Sequence, residues 1–217
     1  MTREDFLRRV RDGLKSLPDD DRTITLSNRR TPPELSLADP TIVELFIERL
    51  EHHGARVERI TEAEIPAAVR GALRTYRAKS VVTPNGLPDE WLDPWAEDAG
   101  NTVMRDHQQL TPEELDDADA VVTTCAGAVA DAGAVVLDGG PGQGRSETLV
   151  PTCHICVVRT PQIDSSLPEV LDKLDSRRPI TWCGGPTAPA DAKGAPGQGR
   201  HRQRQLIVLI VDEFDSP

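Results

Sequence analysis

The run Leu206-Ile207-Val208-Leu209-Ile210-Val211 carries no polar residue on either phase. A strand with one wet face alternates apolar and polar side chains, and this run does not. It is expected inside a sheet covered on both faces, as parallel strands are in α/β folds. Further strand signals stand at Ala55–Ile60, Ser80–Thr83, Ala120–Thr124, Ala134–Leu137, Ile155–Val158 and Ile180–Cys183. Helical periods separate them. Ile42, Val43, Phe46, Ile47 and Leu50 share one face behind Asp39, a good cap, and Pro40, suited to a first turn. Gly54 closes that helix. Thr61–Glu64 and Thr111–Glu114 have the capping-box pattern, with Pro66 pushing the first helix start toward Ile65. Trp91 and Trp95 belong to a short amphipathic piece, and Leu167, Val170, Leu171 and Leu174 mark a late helix. Alternating strands and helices predict an α/β fold with a mostly parallel sheet.

Ahead of this pattern, Phe6, Leu7, Val10 and Leu14 form the stripe of an amphipathic helix over residues 3–17. Residues 18–38, with Pro18, Pro32 and Pro33, read as a linker. The expected organisation is an N-terminal helix and linker over 1–38 and an α/β domain over 39–217.

Charge narrows the partners. Lys and Arg number 25 against 36 Asp and Glu, a net −11. Such a surface repels nucleic acid and anionic membranes alike. Seven aromatic residues are too few for a base-stacking platform. No apolar run approaches the roughly 18 residues of a membrane span. The start, Met1-Thr2-Arg3-Glu4-Asp5, has no apolar segment behind a basic stretch. A soluble, cytoplasmic chain is expected. Its four cysteines (Cys125, Cys153, Cys156 and Cys183) are expected as reduced thiols.

Four segments could carry chemistry. Asp138–Ser146, rich in glycine, follows a strand. Its backbone N–H groups could form an anion nest and Arg145 could clamp a carboxylate or phosphate. It reads equally as a hairpin loop, since it lacks a Walker lysine and a dinucleotide fingerprint. Thr124–Gly133 is small and apolar except for Asp131, which is either a cap or a functional carboxylate. Cys153-His154-Ile155-Cys156 has redox or metal spacing, but on an extended chain residues three apart face opposite sides, which favours structural thiols. No metal site is expected. Residues 185–204 are rich in Gly, Pro, Ala and basic side chains without any period, as in a surface loop. His52, His53 and His107 have no partner at ligand spacing.

Several segments taken in order resemble the lactate-utilization (LUD) family. They are Ala126–Leu137, Gly142-Gln143-Gly144-Arg145, Leu149-Val150-Pro151, His154–Val158, Pro179-Ile180-Thr181, Gly185-Pro186 and the final strand. Asp131 stands where the family usually has glutamate. In the late loop Asp191, Gly199, His201 and Arg204 keep the family register while their neighbours depart from it. The resemblance implies a three-layer α/β domain with a Rossmann-like sheet, of the NagB/RpiA/CoA-transferase type. It implies an accessory role in oxidising L-lactate to pyruvate beside iron–sulfur partner proteins, with no cofactor in this chain. The expected pocket comprises Asp131, Gly142, Gly144 and Arg145, with Asp191, Gly199 and His201 from the late loop. Arg145 would hold a small anion, His201 would move a proton and Asp131 would orient it. Two alternatives stay open. One is a stand-alone binder or enzyme for CoA esters or sugar phosphates. The other is an adaptor docking a partner through its N-terminal helix.

Overall fold

A computed structural model of the chain describes residues 40–105, 110–144, 151–175, 177–184 and 205–212, together with residues 4, 5, 8, 9 and 12. The chain divides into two compact units, Met1–Pro33 and Glu34–Pro217. In the first, the five described residues are helical and Asp5 pairs with Arg8 one turn on. The boundary expected at 38/39 lies outside the described residues.

The second unit opens with helix α1, Pro40–His52. Its end has Schellman geometry: Ala55 N donates to Leu50 O at 3.0 Å and Gly54 N to Glu51 O at 2.8 Å. There follow β1 (Arg56–Ile60), α2 (Ile65–Thr75), β2 (Ser80–Thr83), a helical turn α3 (Asp93–Ala96) and β3 (Thr102–Arg105). The short α4 (Pro112–Asp116) leads to β4 (Ala120–Thr123). It is capped as the sequence predicts: Thr111 N donates to Glu114 Oε2 at 2.8 Å and Glu114 N to Thr111 Oγ1 at 3.3 Å. The rest of the chain supplies β5 (Gly127–Val129), β6 (Ala134–Leu137), β7 (Cys153–Arg159), β8 (Ile163–Asp164), α5 (Leu167–Lys173), β9 (Thr181–Cys183) and β10 (Gln205–Val211).

Six strands form a wholly parallel sheet in the order β1-β10-β7-β4-β2-β3. β10 lies between two neighbours and is buried on both sides, as its composition requires. Ile207, Leu209 and Val211 pack with Ile65, Val69 and Leu73 of α2 and with the buried Trp91 and Trp95. Leu206, Val208 and Ile210 pack with Ile42, Phe46 and Leu50 of α1. Each such side chain contributes on the order of 2 kcal/mol of gross apolar burial.

The second face differs from the expectation. Ala134–Leu137 and Thr181–Cys183 do not join the parallel sheet. They belong to a separate four-stranded sheet, β8-β5-β6-β9, in which β6 pairs antiparallel with β5 and β9. An apolar run reports burial and not which sheet does the burying. Here Ala128 and Val135 pack toward the parallel sheet with α1, while Val129 and Val136 meet Val170 of α5 on the far side. The layers are therefore α2 with α3, the parallel sheet, and a third layer of α1, α4 and the small sheet.

Candidate functional site

The parallel sheet has one topological switch. From β2 the chain proceeds outward to the edge strand β3, whereas from β4 it proceeds the other way through β7 to β10. The segments leaving adjacent β2 and β4 diverge there, and such a fork is where open α/β sheets bind ligands. Thr83 ends β2 and is followed by Pro84-Asn85-Gly86; Thr123 ends β4 and is followed by Thr124-Cys125-Ala126.

The glycine-rich segment closes over this fork. Gly142 N donates to Asn85 O at 2.8 Å, and Thr124 N donates to Gly142 O at 2.7 Å. Thr124 Oγ1 adds a bond to Pro141 O at 3.1 Å. The approach is so close that side chains do not fit: a Cβ on Gly86 would stand 2.8 Å from Pro141 Cβ, and one on Gly142 would stand 3.0 Å from Thr124 Oγ1. Both glycines have positive φ, +88° and +72°.

Side chains from beneath hold the loop shut. Buried Gln143 turns its amide inward, and Asp138 N donates to Gln143 Oε1 at 2.7 Å. Asp138 accepts from Gly140 N at 2.9 Å through one oxygen and from Arg178 Nη1 at 3.1 Å through the other. Gln143 N donates to Gly140 O at 3.1 Å. The amides of Asp138, Gly140, Gly142 and Gln143 are thus committed within the protein. An anion at this loop would be read by side chains rather than by those four amides.

Below the fork lies a buried polar and thiol layer. Thr123 Oγ1 and His154 Nε2 are 2.7 Å apart, and both residues are buried. Gln162 Nε2 donates to Cys125 O at 2.8 Å, while Gln162 Oε1 accepts from Arg159 N at 2.8 Å and from Cys125 Sγ at 3.5 Å. Cys156 Sγ donates to Thr124 O at 3.8 Å. Its bond with Cys125 and its burial push the Cys156 thiol well up. Burial alone pushes Cys153 up to about 12. Neutral thiols of this kind are poor nucleophiles and poor metal ligands. Cys153 and Cys156 also face opposite sides of the sheet, as an extended backbone demands.

The expected site residues are placed as follows. Gly142 and Gly144 are in the loop over the fork. Asp131 is exposed at the tip of the β5–β6 hairpin, where its N–H donates to Ser165 O at 3.1 Å. That tip abuts α1, since a Cβ on Gly133 would meet Arg49 C at 2.7 Å. The length of β6, on the order of 13 Å at strand rise, separates it from the glycine loop. Asp131 and the loop are not brought together. Arg145, Asp191, Gly199 and His201, like His107, lie outside the described residues.

A cleft of about 210 Å³ opens beside the fork, at the carboxyl ends of β2 and β3. Leu87, Leu92, Ala96 and Val103 give it apolar walls, and Thr83, Asp89, Asp93 and Arg105 give it polar ones. Arg105 is ion-paired with Asp89 at the surface. Exposed pairs of this kind are worth about 0–1 kcal/mol. Neither the fork nor the cleft was singled out from sequence. A signal existed: Pro84-Asn85-Gly86 directly after a strand is a strong turn signature.

Residues 43–211 match the family model described as the LUD domain. The chain is 37% identical over 185 residues to a lactate utilization protein C of Deinococcus radiodurans, covering 83% of each protein. It is 24% identical over 190 residues to a lactate utilization protein C of Halalkalibacterium halodurans, covering 79% of this chain and 80% of that one. A crystal structure of a DUF162 family protein from Deinococcus radiodurans superposes with a TM-score of 0.66 at 36% identity, covering 82% of this chain and 99% of the other. The matched segment runs from inside α1 to the last residue of β10 and includes the fork, its glycine loop and both sheets, so the chain belongs to the LUD domain family.

Proposed function

We propose that the chain is an accessory component of an L-lactate oxidation system, in which lactate gives up two electrons and two protons to become pyruvate. The supporting observation is its membership of the LUD domain family, with a relative 37% identical that is named for lactate utilization. In this reading the fork and the loop over it form the working surface. The electrons pass to iron–sulfur clusters carried by partner proteins, and the chain works in the cytoplasm. Among the described residues no helix is long and apolar enough to cross a membrane. The alternative of a CoA-ester or sugar-phosphate binder draws no support from the loop amides at 138, 140, 142 and 143, which are already engaged.

The test is growth on L-lactate as sole carbon source. A strain lacking the gene is expected to fail on lactate, to grow on glucose, and to recover with a plasmid copy. The tagged protein is expected to co-purify partners with iron–sulfur absorption. Normal growth on lactate would overturn the reading.

A further inference from the structure

We propose that the outer face of the small sheet, between α5 and β9, is the surface through which two copies of this chain associate. Three large apolar side chains stay exposed among the described residues, and all three lie there: Leu167 at 41%, Leu171 at 43% and Trp182 at 44%. Trp182 is the register partner of Val136, which faces away from the parallel sheet toward Val170 of α5, so its indole projects outward. The two leucines are placed by the turn of the helix, about 100° per residue. Val170 points down onto the sheet, close enough that a Cβ on Gly127 would stand 3.0 Å from its Cγ1. Lys173 leans to one side of Val170, where it pairs with Asp164 of the edge strand β8. Leu167 and Leu171 fall on the opposite side of Val170 and so flank the half of the sheet that holds β6 and β9. Leu174 and Ile180 pack against the cluster of Val129, Val136 and Val170. One apolar face results, with a leucine ridge on one side and a tryptophan on the other.

Charge selects the occupant. Each copy carries a net −11, so two copies repel except through a surface nearly free of net charge. Over residues 163–183 four acids stand against three bases. All three bases are tied to carboxylates of their own chain: Lys173 to Asp164, Arg177 to Asp175 and Arg178 to Asp138. The face therefore has little field with which to steer a strongly charged partner, and little with which to repel its own copy. Its shape suits a two-fold contact, in which one patch supplies both halves. The tryptophan of each copy seats on the leucines of the other and is the anchor of the contact.

The experiment is sedimentation equilibrium of the purified full chain from about 1 to about 200 µM, the span of weak interfaces. A reversible monomer–dimer equilibrium is expected. Leu171→Lys and Trp182→Lys are each expected to raise the dissociation constant at least tenfold. Lysine lowers the net negative charge, so the loss cannot come from added repulsion between copies. Circular dichroism checks that the variants are folded; both positions are exposed, and either folded variant decides. Added salt is expected to tighten the wild-type dimer by screening the repulsion between the two acidic bodies, whereas it would loosen an ion-paired contact. Of the three tryptophans Trp91 and Trp95 are buried, so acrylamide quenching at Trp182 is expected to rise on dilution. A monomer at every concentration and salt would overturn the proposal and leave the face to an unrelated protein. A dimer that both variants keep at wild-type strength would overturn it too, as would an open series of masses beyond two copies.

Discussion

Arg77 occupies a position made for glycine. It follows α2 at φ +55°, the one non-glycine residue with positive φ among those described. Arg77 N donates to Arg74 O at 3.0 Å and Ala78 N to Leu73 O at 2.9 Å, the same two bonds that Gly54 and Ala55 make at the end of α1. A side chain there costs about 1 kcal/mol of left-handed strain. Arg77→Gly is therefore expected to raise stability by roughly 0.5–1 kcal/mol, read as a higher urea midpoint at an unchanged slope. Cys153 gives a second prediction at this scale. Its folded thiol titrates near 12, whereas an unfolded one titrates near 9. Below about pH 9 both states hold the proton and the full stability is present. Above it the unfolded chain releases a proton that the folded chain keeps, so stability falls as pH climbs toward 12, by at most about 1.4 kcal/mol per unit. Urea midpoints from pH 8 to 11 are expected to fall less steeply in Cys153→Ala than in wild type.

At the scale of elements, the glycine loop is a latch held by Gln143 and Asp138. Gln143→Leu would strip the buried Asp138 N–H of its acceptor, a loss of about 1–3 kcal/mol. The loss is local, so amide exchange at residues 138–144 is expected to quicken at least tenfold while exchange in β7 and β10 stays slow. Unchanged exchange in the loop would mean that Gln143 does not hold it.

The elements also differ in how far their sequence declared them. β10 is apolar on both phases after Gln205, and β7 is so over Ile155–Val158, and only a two-sided core suits them. α1 has its stripe and its closing glycine, and α4 its capping box. β8 is too short, at two residues, for any period to register, and β3 (Thr102-Val103-Met104-Arg105) has only two apolar residues between polar ends and no fully buried one. β6 was legible as a strand but not as a member of a second sheet, because its partner β9 lies more than forty residues away. The site divides in the same way. The glycine loop was legible from composition. Its docking against Asn85 and Thr124 was not, since that depends on β2 and β4 being neighbours. The separation of Asp131 from the loop likewise follows from the hairpin's direction, which local sequence does not state.

Across the whole molecule, the carboxyl edge of the parallel sheet concentrates charge. Arg59 of β1 pairs with Asp212 at 2.9 Å, Arg159 at the end of β7 pairs with Glu62 at 2.6 Å, and Arg105 at the end of β3 pairs with Asp89. An excess of acid, net −11, thus partners the arginines that ring the strand ends. These pairs are partly or fully exposed, so added salt is expected to weaken them. In the function proposed above, the fork and the glycine loop at this edge are the working surface. Complementation tests it most directly. In a strain lacking the gene, growth on L-lactate is measured with the wild-type copy and with Arg145→Ala, at matched protein levels by immunoblot. Full rescue by wild type and clear loss of rescue by Arg145→Ala are expected. Full rescue by Arg145→Ala would contradict the proposed working surface, and no lactate defect in the deletion strain would contradict the role in lactate utilization.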